Sequence, residues 1–377
     1  MSAGDAVTSR DSLEHFERER EAAYRDMPPV NVLVAGPTGV GKSTLVNAIL
    51  RTPVAKTGKG RPVTEDIQAW SVPGVPITVY DTPGLELDER SGKAAKRVAR
   101  FVKDQLAKPP ADHLHVFWYC VHAQSNRFQD AEADFIEEVS RLLPSIVVLT
   151  QVLGPEDADA AEFATVVRGL LDEHRANVTA SSPISTLALT RRVGAHEFPP
   201  FGLRELVDET YRLLPEAVKR AFSNAQGIDL DLKRREGHKF VVQHTTMAAG
   251  IGAVPIPIPD AGPLLAIQGT MLARITAAMG VEFDESTRAF LIRGVLGSGT
   301  IVQIGRQASS MLLKLVPGVG PAINATVAGA ITAALGEAYV TLCVEYLRRQ
   351  RAGRAMPSAE MLDVLMSEFK RRYKRKD

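Results

Sequence analysis

The chain reads as an α/β domain built on a mostly parallel sheet, followed by an all-helical apolar domain, and three observations predict this. Short β-branched apolar runs alternate with helical patterns through residues 29–224. Beyond residue 225 the composition shifts to Ala, Gly, Ile, Val and Leu with sparse charge and no strand alternation. The length, 377 residues, also exceeds what one ordinary core serves.

Taken in order, residues 1–28 form an N-terminal segment in which Leu13, Phe16 and Tyr24 recur at helical spacing among charges. This predicts a short amphipathic helix over 11–26, ended by Pro28 and Pro29. VNVLVA (Val30 to Ala35) is a buried strand leading into a Gly-rich turn and a helix. ITVYD (Ile77 to Asp81), HLHVFWYCV (His113 to Val121), SIVVLT (Ser145 to Thr150) and PISTLAL (Pro183 to Leu189) have strand length, with helices at 91–107, 128–143, 158–175 and 203–223. QAWSVP (Gln68 to Pro73), joined to ITVYD through a turn at Gly74, suits an antiparallel edge strand, and KTGKGRPVTED (residues 56–66) a flexible basic loop. In the helical domain, residues 225–377, VPIPIP (Val254 to Pro259) and PGVGP (Pro317 to Pro321) force breaks.

Residues 315–336 lack any charged side chain and are long enough to span a bilayer. Their prolines, glycines and Asn324 suit a soluble core of small residues equally well. Arg348, Arg349 and Arg351 and the terminal FKRRYKRKD fit either a solvated helix face or an anionic membrane surface. With 45% hydrophobic and 24% charged residues and a formal charge of +1, nothing in the balance points to a specific nucleic-acid partner. Cys120 and Cys343 lie far apart in apolar runs, which suits packing rather than redox or metal chemistry. His113, His115 and His122 flank one strand; only His113 and His115 would share a face, and with no third ligand identified beside them, packing or surface placement is their reading. The N-terminus has no apolar stretch of signal-peptide length, and the first domain is expected in the cytoplasm, with peripheral attachment at the inner face of the cell membrane as a further expectation.

GPTGVGKS (Gly36 to Ser43) fits G-x-x-x-x-G-K-[ST] in full, with a strand before it and the helix STLVNAIL after it. The glycines let backbone N–H groups curl around phosphate oxygens, and the helix N-terminus adds partial positive charge. Gly36, Gly39, Val40 and Gly41 are therefore expected to line a triphosphate tail. Lys42 reaches its β- and γ-phosphates, Ser43 places a hydroxyl on Mg²⁺ and Thr44 assists at the α-phosphate. DTPG (Asp81 to Gly84) ends a strand 39 residues after Lys42, where Asp81 can hold Mg²⁺ through its water shell and the Gly84 amide can approach the γ-phosphate. Thr64 is the first candidate to complete the magnesium shell and assist catalysis, with Thr57 its rival.

GPTGVGKSTLVNAIL, RPVT and VYDTPGLE resemble the Era-like branch of the translation-factor-class GTPases, and the same segments are similar to immunity-related GTPases. The chain also resembles bacterial proteins that join such a domain to an apolar C-terminal domain of uncharacterised function, whose pattern AVPIPIPDAGPLLAIQGTMLARI (Ala253 to Ile275) matches. The resemblance implies binding of GTP or GDP with Mg²⁺ and slow hydrolysis coupled to a conformational switch. It assigns phosphate contacts to Gly41, Lys42, Ser43 and Thr44, the switch threonine to Thr64, and the γ-phosphate sensor to Asp81 and Gly84.

Two departures bear on chemistry. The base-reading motif [NT]-K-x-D falls at Thr150-Gln151-Val152-Leu153, so Thr150 and Gln151 are expected at the base while Leu153 cannot accept the guanine N–H groups. Losing charged hydrogen bonds of this kind forfeits about 1.5–3 kcal/mol each. Guanine preference therefore needs another reader, with Glu156 and Asp157 nearest in sequence and ATP the alternative nucleotide. Leu85 stands where a water-orienting glutamine is found in Ras-like enzymes, which predicts slow or assisted hydrolysis. Gly39 replaces the asparagine of potassium-activated relatives, so no potassium stimulation is predicted. A second protomer, docked through the nucleotide domain, could supply the missing group, with Arg61 the candidate in trans. The leading function is thus a slow GTPase switch; a nucleotide-regulated membrane-associating protein and a nucleotide-binding scaffold without turnover are the alternatives.

Overall fold

Strand pairing divides this chain cleanly from its helix packing. The structure, a computed structural model, describes residues 3–53, 59–64, 67–82, 92–252, 262–297 and 320–374. Two compact units result, one spanning Met27–Asp229 and the other combining Met1–Asp26 with Leu230–Asp377.

In the Met27–Asp229 unit, strands β1 (Val30–Ala35), β2 (Lys59–Thr64), β3 (Ile67–Ser71), β4 (Ile77–Asp81), β5 (Val116–His122), β6 (Ser145–Thr150) and β7 (Ile184–Ser185) form one sheet in the order β2-β3-β4-β1-β5-β6-β7. Pairing is parallel from β4 through β7 and antiparallel between β2, β3 and β4. β1, β5 and β6 are buried along almost their whole length because helices cover both faces, so their sequences read as continuous apolar runs rather than alternating ones. On one face Leu33, Phe117, Tyr119 and Val147 pack with Phe101, Phe135, Phe163 and Leu171 from helices α3 (Gly92–Leu106), α4 (Asp130–Ser140) and α5 (Ala158–Glu173). On the other, the Trp118 indole donates to the Thr210 hydroxyl (3.1 Å) of α6 (Leu203–Leu213).

Several sequence expectations are corrected here. The 56–66 segment is not wholly a loop, because Lys59–Thr64 is the edge strand β2, and Ile67–Ser71 lies one place inside it. The strand expected over 183–189 shortens to Ile184–Ser185, and the helix expected over 203–223 splits into α6 and α7 (Glu216–Ala225) around Pro215, which cannot donate the helical hydrogen bond. A hairpin, β8 (Arg191–Val193) and β9 (His196–Phe198), stands apart from the main sheet. The unit ends at Asp229 rather than at residue 224, because Ala225 and Gly227 exchange backbone hydrogen bonds with Arg51 and Ile49 after the helix α2 (Lys42–Ile49).

The second unit is helical: α1 (Ala3–Arg25), α8 (Leu230–Gly252), α9 (Gly262–Met279), α10 (Glu285–Ile292), α11 (Gly320–Arg351) and α12 (Ser358–Lys374). The N-terminal helix is longer than the expected 11–26 and belongs to this unit, since Phe16 is fully buried among Met271, Leu272, Ile275 and Tyr339. Small residues set the close helix approaches; a Cβ on Gly336 would lie 2.8 Å from Val241, and one on Gly237 3.1 Å from Met279. The buried Lys233 ammonium donates to the Met279 carbonyl (2.7 Å), satisfying the C-terminus of α9. Val254 to Pro259 and residues 317–319 lie outside the described residues.

Candidate functional site

The C-terminal ends of β1 and β4 lie side by side, with Val34 opposite Asp81, and the chain leaves β1 directly into Gly36. At a φ of +139° Gly36 takes a conformation reserved for glycine, and a Cβ there would meet the Cys120 carbonyl oxygen at 2.2 Å. The loop therefore turns flush against the backbone of β5. Gly41, at φ +96°, is the N-cap of α2, so the N–H groups of the helix's first turn, which have no intrahelical acceptor, open onto the loop.

Lys42 is the first residue of that helix and is 8% exposed. Its ammonium folds back over the loop and donates to the carbonyls of Gly36 (2.8 Å) and Pro37 (3.0 Å). Val40 is buried, whereas Gly39 and Thr44 are exposed and Ser43 is half-buried. The Thr150 hydroxyl, at the end of β6, lies within hydrogen-bonding distance of Val40 O (2.6 Å) and Val121 O (3.1 Å) and braces the loop.

Beneath this loop lies Cys120, whose thiol is pushed up to about 12 by burial, with smaller opposing influences from the nearby Lys42 and Asp81 charges. Lys42 and Asp81 thus both lie close enough to the C-terminal end of β5 to act on the same buried thiol. The Ser43 hydroxyl and Asp81 carboxylate supply hard oxygen donors of the kind Mg²⁺ takes, at a place where a lysine already favours polyphosphate charge. The donor chemistry thus fits magnesium. Thr82, fully buried, donates its N–H to Val34 O (3.1 Å) and pins the strand end that presents Asp81. Thr64 closes β2, paired with Ile67, and its side chain, like that of Arg61, is outside the described residues, as are Thr57, Gly84 and Leu85 altogether.

On the base side, Gln151 takes a φ of +60° and its side-chain nitrogen lies 3.9 Å from where a Gly41 Cβ would sit. Asp157 is corrected from base-reader candidate to helix cap, because its two oxygens accept the N–H groups of Leu153 (3.0 Å) and Ala160 (3.1 Å) at the start of α5. Glu156, Leu153, Pro155 and Phe198 line an open cleft of about 440 Å³ beside it. Sequence reasoning missed Arg191, on β8, which donates to the Gln151 side-chain oxygen (3.3 Å); the contact spans 40 residues and leaves no local pattern.

His115 has a structural role. His115 Nδ1 accepts the Asn31 N–H (3.0 Å), and burial, helped by His113, lowers its pKa to about 4, so the ring stays neutral. Among the described residues no group of three or more His, Cys, Asp or Glu side chains is placed to hold a metal by itself.

Comparison with known proteins agrees with this geometry. Residues 31–151 match a family model described as a 50S ribosome-binding GTPase. The chain is 33% identical over 110 residues to translocase of chloroplast 90 of Arabidopsis thaliana, covering 27% of this chain and 14% of that protein. Human septin-9 is 22% identical over 162 residues, covering 36% of this chain and 28% of its own length. The tRNA modification GTPase MnmE of Leptothrix cholodnii is 29% identical over 143 residues, with the same two shares, 36% and 28%. The chain thus spans less than a third of the length of each of these relatives. With a glycine-rich loop between β1 and α2 and Asp81 at the neighbouring strand end, the stretch 31–151 matches that family model and has the fold of a P-loop GTPase domain.

Proposed function

We propose that the protein is a guanine-nucleotide switch that binds GTP or GDP with Mg²⁺ and hydrolyses GTP slowly. The observation that carries this reading is Lys42, whose nearly buried ammonium folds over a loop that turns against β5, next to the strand end that bears Asp81. In the loaded protein the ammonium exchanges its carbonyl partners for β- and γ-phosphate oxygens. Ser43 and Asp81 hold the magnesium, with Thr64 joining them from the end of β2 when the γ-phosphate is present. Bound magnesium neutralises charge on the phosphates. Gly84, Thr44 and the N–H groups of Gly36 and of residues 38–41 complete the phosphate contacts.

Leu85 cannot orient water, so turnover by the intact chain is expected on the order of 10⁻⁴–10⁻² s⁻¹, the range of switch GTPases without an external activator. If a second copy supplies the missing group through its nucleotide domain, with Arg61 the candidate, phosphate release per protomer rises with protein concentration. Release at background at every concentration would instead identify a nucleotide-binding scaffold.

A second reading is a cytoplasmic protein that attaches peripherally to an anionic membrane at the inner face of the cell. Its support is the helical stretch Ala325–Arg351, whose most apolar 18-residue window has a mean hydropathy of 1.6 and is long and apolar enough to cross a bilayer. Against it, 72% of its most apolar window is buried within the unit, and Arg348 and Arg349 already pair with Glu345. Co-sedimentation with anionic liposomes is therefore expected only with GTP or a non-hydrolysable analogue, if the helices open in that state. Equal sedimentation with GTP, GDP and no nucleotide removes nucleotide-regulated attachment.

A further inference from the structure

Leu153 leaves the site without the carboxylate that would accept the guanine N1–H and 2-amino groups, yet the surroundings offer a different reader. Gln151 faces Gly41, its side-chain nitrogen 3.9 Å from where a Cβ on that glycine would stand, and its oxygen holds one N–H of the half-buried Arg191. Arg191 is directly opposite Phe198 in the β8–β9 hairpin, so the two side chains share a face. Phe198 and Leu153 both line the open cleft next to Gln151. The neighbouring Arg192 is on the other face, bound across the hairpin to Glu197 (2.8 Å). The Arg191 guanidinium is thus held against Gln151, on the hairpin face it shares with the cleft-lining Phe198.

We infer that Arg191, positioned by Gln151, reads the O6/N7 edge of the guanine base and takes the place of the carboxylate missing at Leu153. The inference rests on the nucleotide reading above. A guanidinium carries five N–H donors in a planar fork, and one of them is spent on Gln151. Guanine presents two adjacent acceptors, O6 and N7, that fit such a fork, whereas adenine presents N7 beside a donating amino group. Leu153 and Phe198 give the ring apolar contact without distinguishing the bases. Specificity therefore moves from the N1–H and 2-amino side of the ring to its O6/N7 side. The 2-amino group of guanine, which a carboxylate reader needs, becomes irrelevant.

Inosine triphosphate keeps O6 and N7 and lacks only that amino group, so it separates the two modes. Competition against a fluorescent GTP analogue on the full chain is expected to rank ITP within about threefold of GTP, with ATP weaker by about tenfold or more. Arg191→Ala should reduce the GTP-over-ATP preference by about tenfold while leaving ATP affinity in place, and Arg191→Lys should not restore it, because a point charge lacks the fork. ITP more than tenfold weaker than GTP in the unaltered chain, the loss of one charged hydrogen bond, would overturn the inference without any variant. So would equal losses of GTP and ATP in Arg191→Ala, which mark a phosphate contact. Failure of the unaltered chain to bind any triphosphate would instead remove the nucleotide reading, and this inference with it.

Discussion

Replacing Lys42 with alanine lowers affinity for GTP by about a hundredfold or more, since each hydrogen bond from a charged donor contributes about 1.5–3 kcal/mol and the ammonium reaches two phosphates. The unliganded protein softens this loss only slightly. Its ammonium donates to the Gly36 and Pro37 carbonyls, neutral acceptors that return to the loop's own hydration when the side chain is gone. What alanine cannot replace is positive charge at 8% exposure, where screening is weak and the triphosphate carries its greatest negative charge density. The loss should be the same for GTP and ATP, because Lys42 touches no base, and smaller for GDP, which lacks the γ-phosphate. Titration calorimetry of the variant checks it, with unaltered tryptophan emission showing that the sheet is intact. GTP affinity within threefold of the parent would mean that the loop is a strand-to-helix turn and nothing more.

That this side chain could be singled out before any fold was known follows from how local its motif is. Glycines at fixed offsets, then Lys-Ser at a helix start, encode backbone shape within eight residues. β1, β5 and β6 were equally legible, since burial on both faces makes their runs continuously apolar. β2 was not. KGRPVT carries a proline and a glycine that argue against a central strand, and both are tolerated because β2 pairs on one side only and slips register between Pro62 and Thr64. The attachment of α1 to the second unit depends on Phe16 meeting Met271 and Tyr339, contacts that cross more than two hundred residues and have no periodic trace. Arg191 was invisible for the same reason, and Asp157 misleading for a related one: an acidic residue just before a helix is as good a cap as it is a base reader, and only the two backbone N–H groups on its oxygens decide between them. Local geometry was readable; partners brought together by the sheet were not.

Gly36→Ala tests the other half of the site, the backbone shape that Lys42 presupposes. The added Cβ would stand 2.2 Å from the Cys120 carbonyl oxygen, far inside contact distance, and φ +139° is closed to side chains in any case. Neither partner can yield cheaply. Cys120 is fully buried in β5, paired with Val148 on one side, and β5 also pairs with β1, so its carbonyl cannot retreat without breaking the centre of the sheet. Strain of this kind and the loss of packing around it together should cost about 3–5 kcal/mol, at the upper end of single substitutions. Gly39→Ala is the natural comparison, since φ there is +80° with nothing within 4 Å of a new Cβ, which leaves only the left-handed penalty of about 1–2 kcal/mol. Both tryptophans, Trp70 and Trp118, belong to the Met27–Asp229 unit, so urea unfolding followed by their fluorescence reports on this unit and not on the helical one. The midpoint should fall much further for Gly36→Ala than for Gly39→Ala, and nucleotide binding should vanish in the first even where the sheet survives, because a loop pushed off β5 no longer aims its amides and Lys42 at one point. Equal midpoints for the two variants would show that the loop can leave the sheet at no cost, and the phosphate cradle would then have no rigid floor.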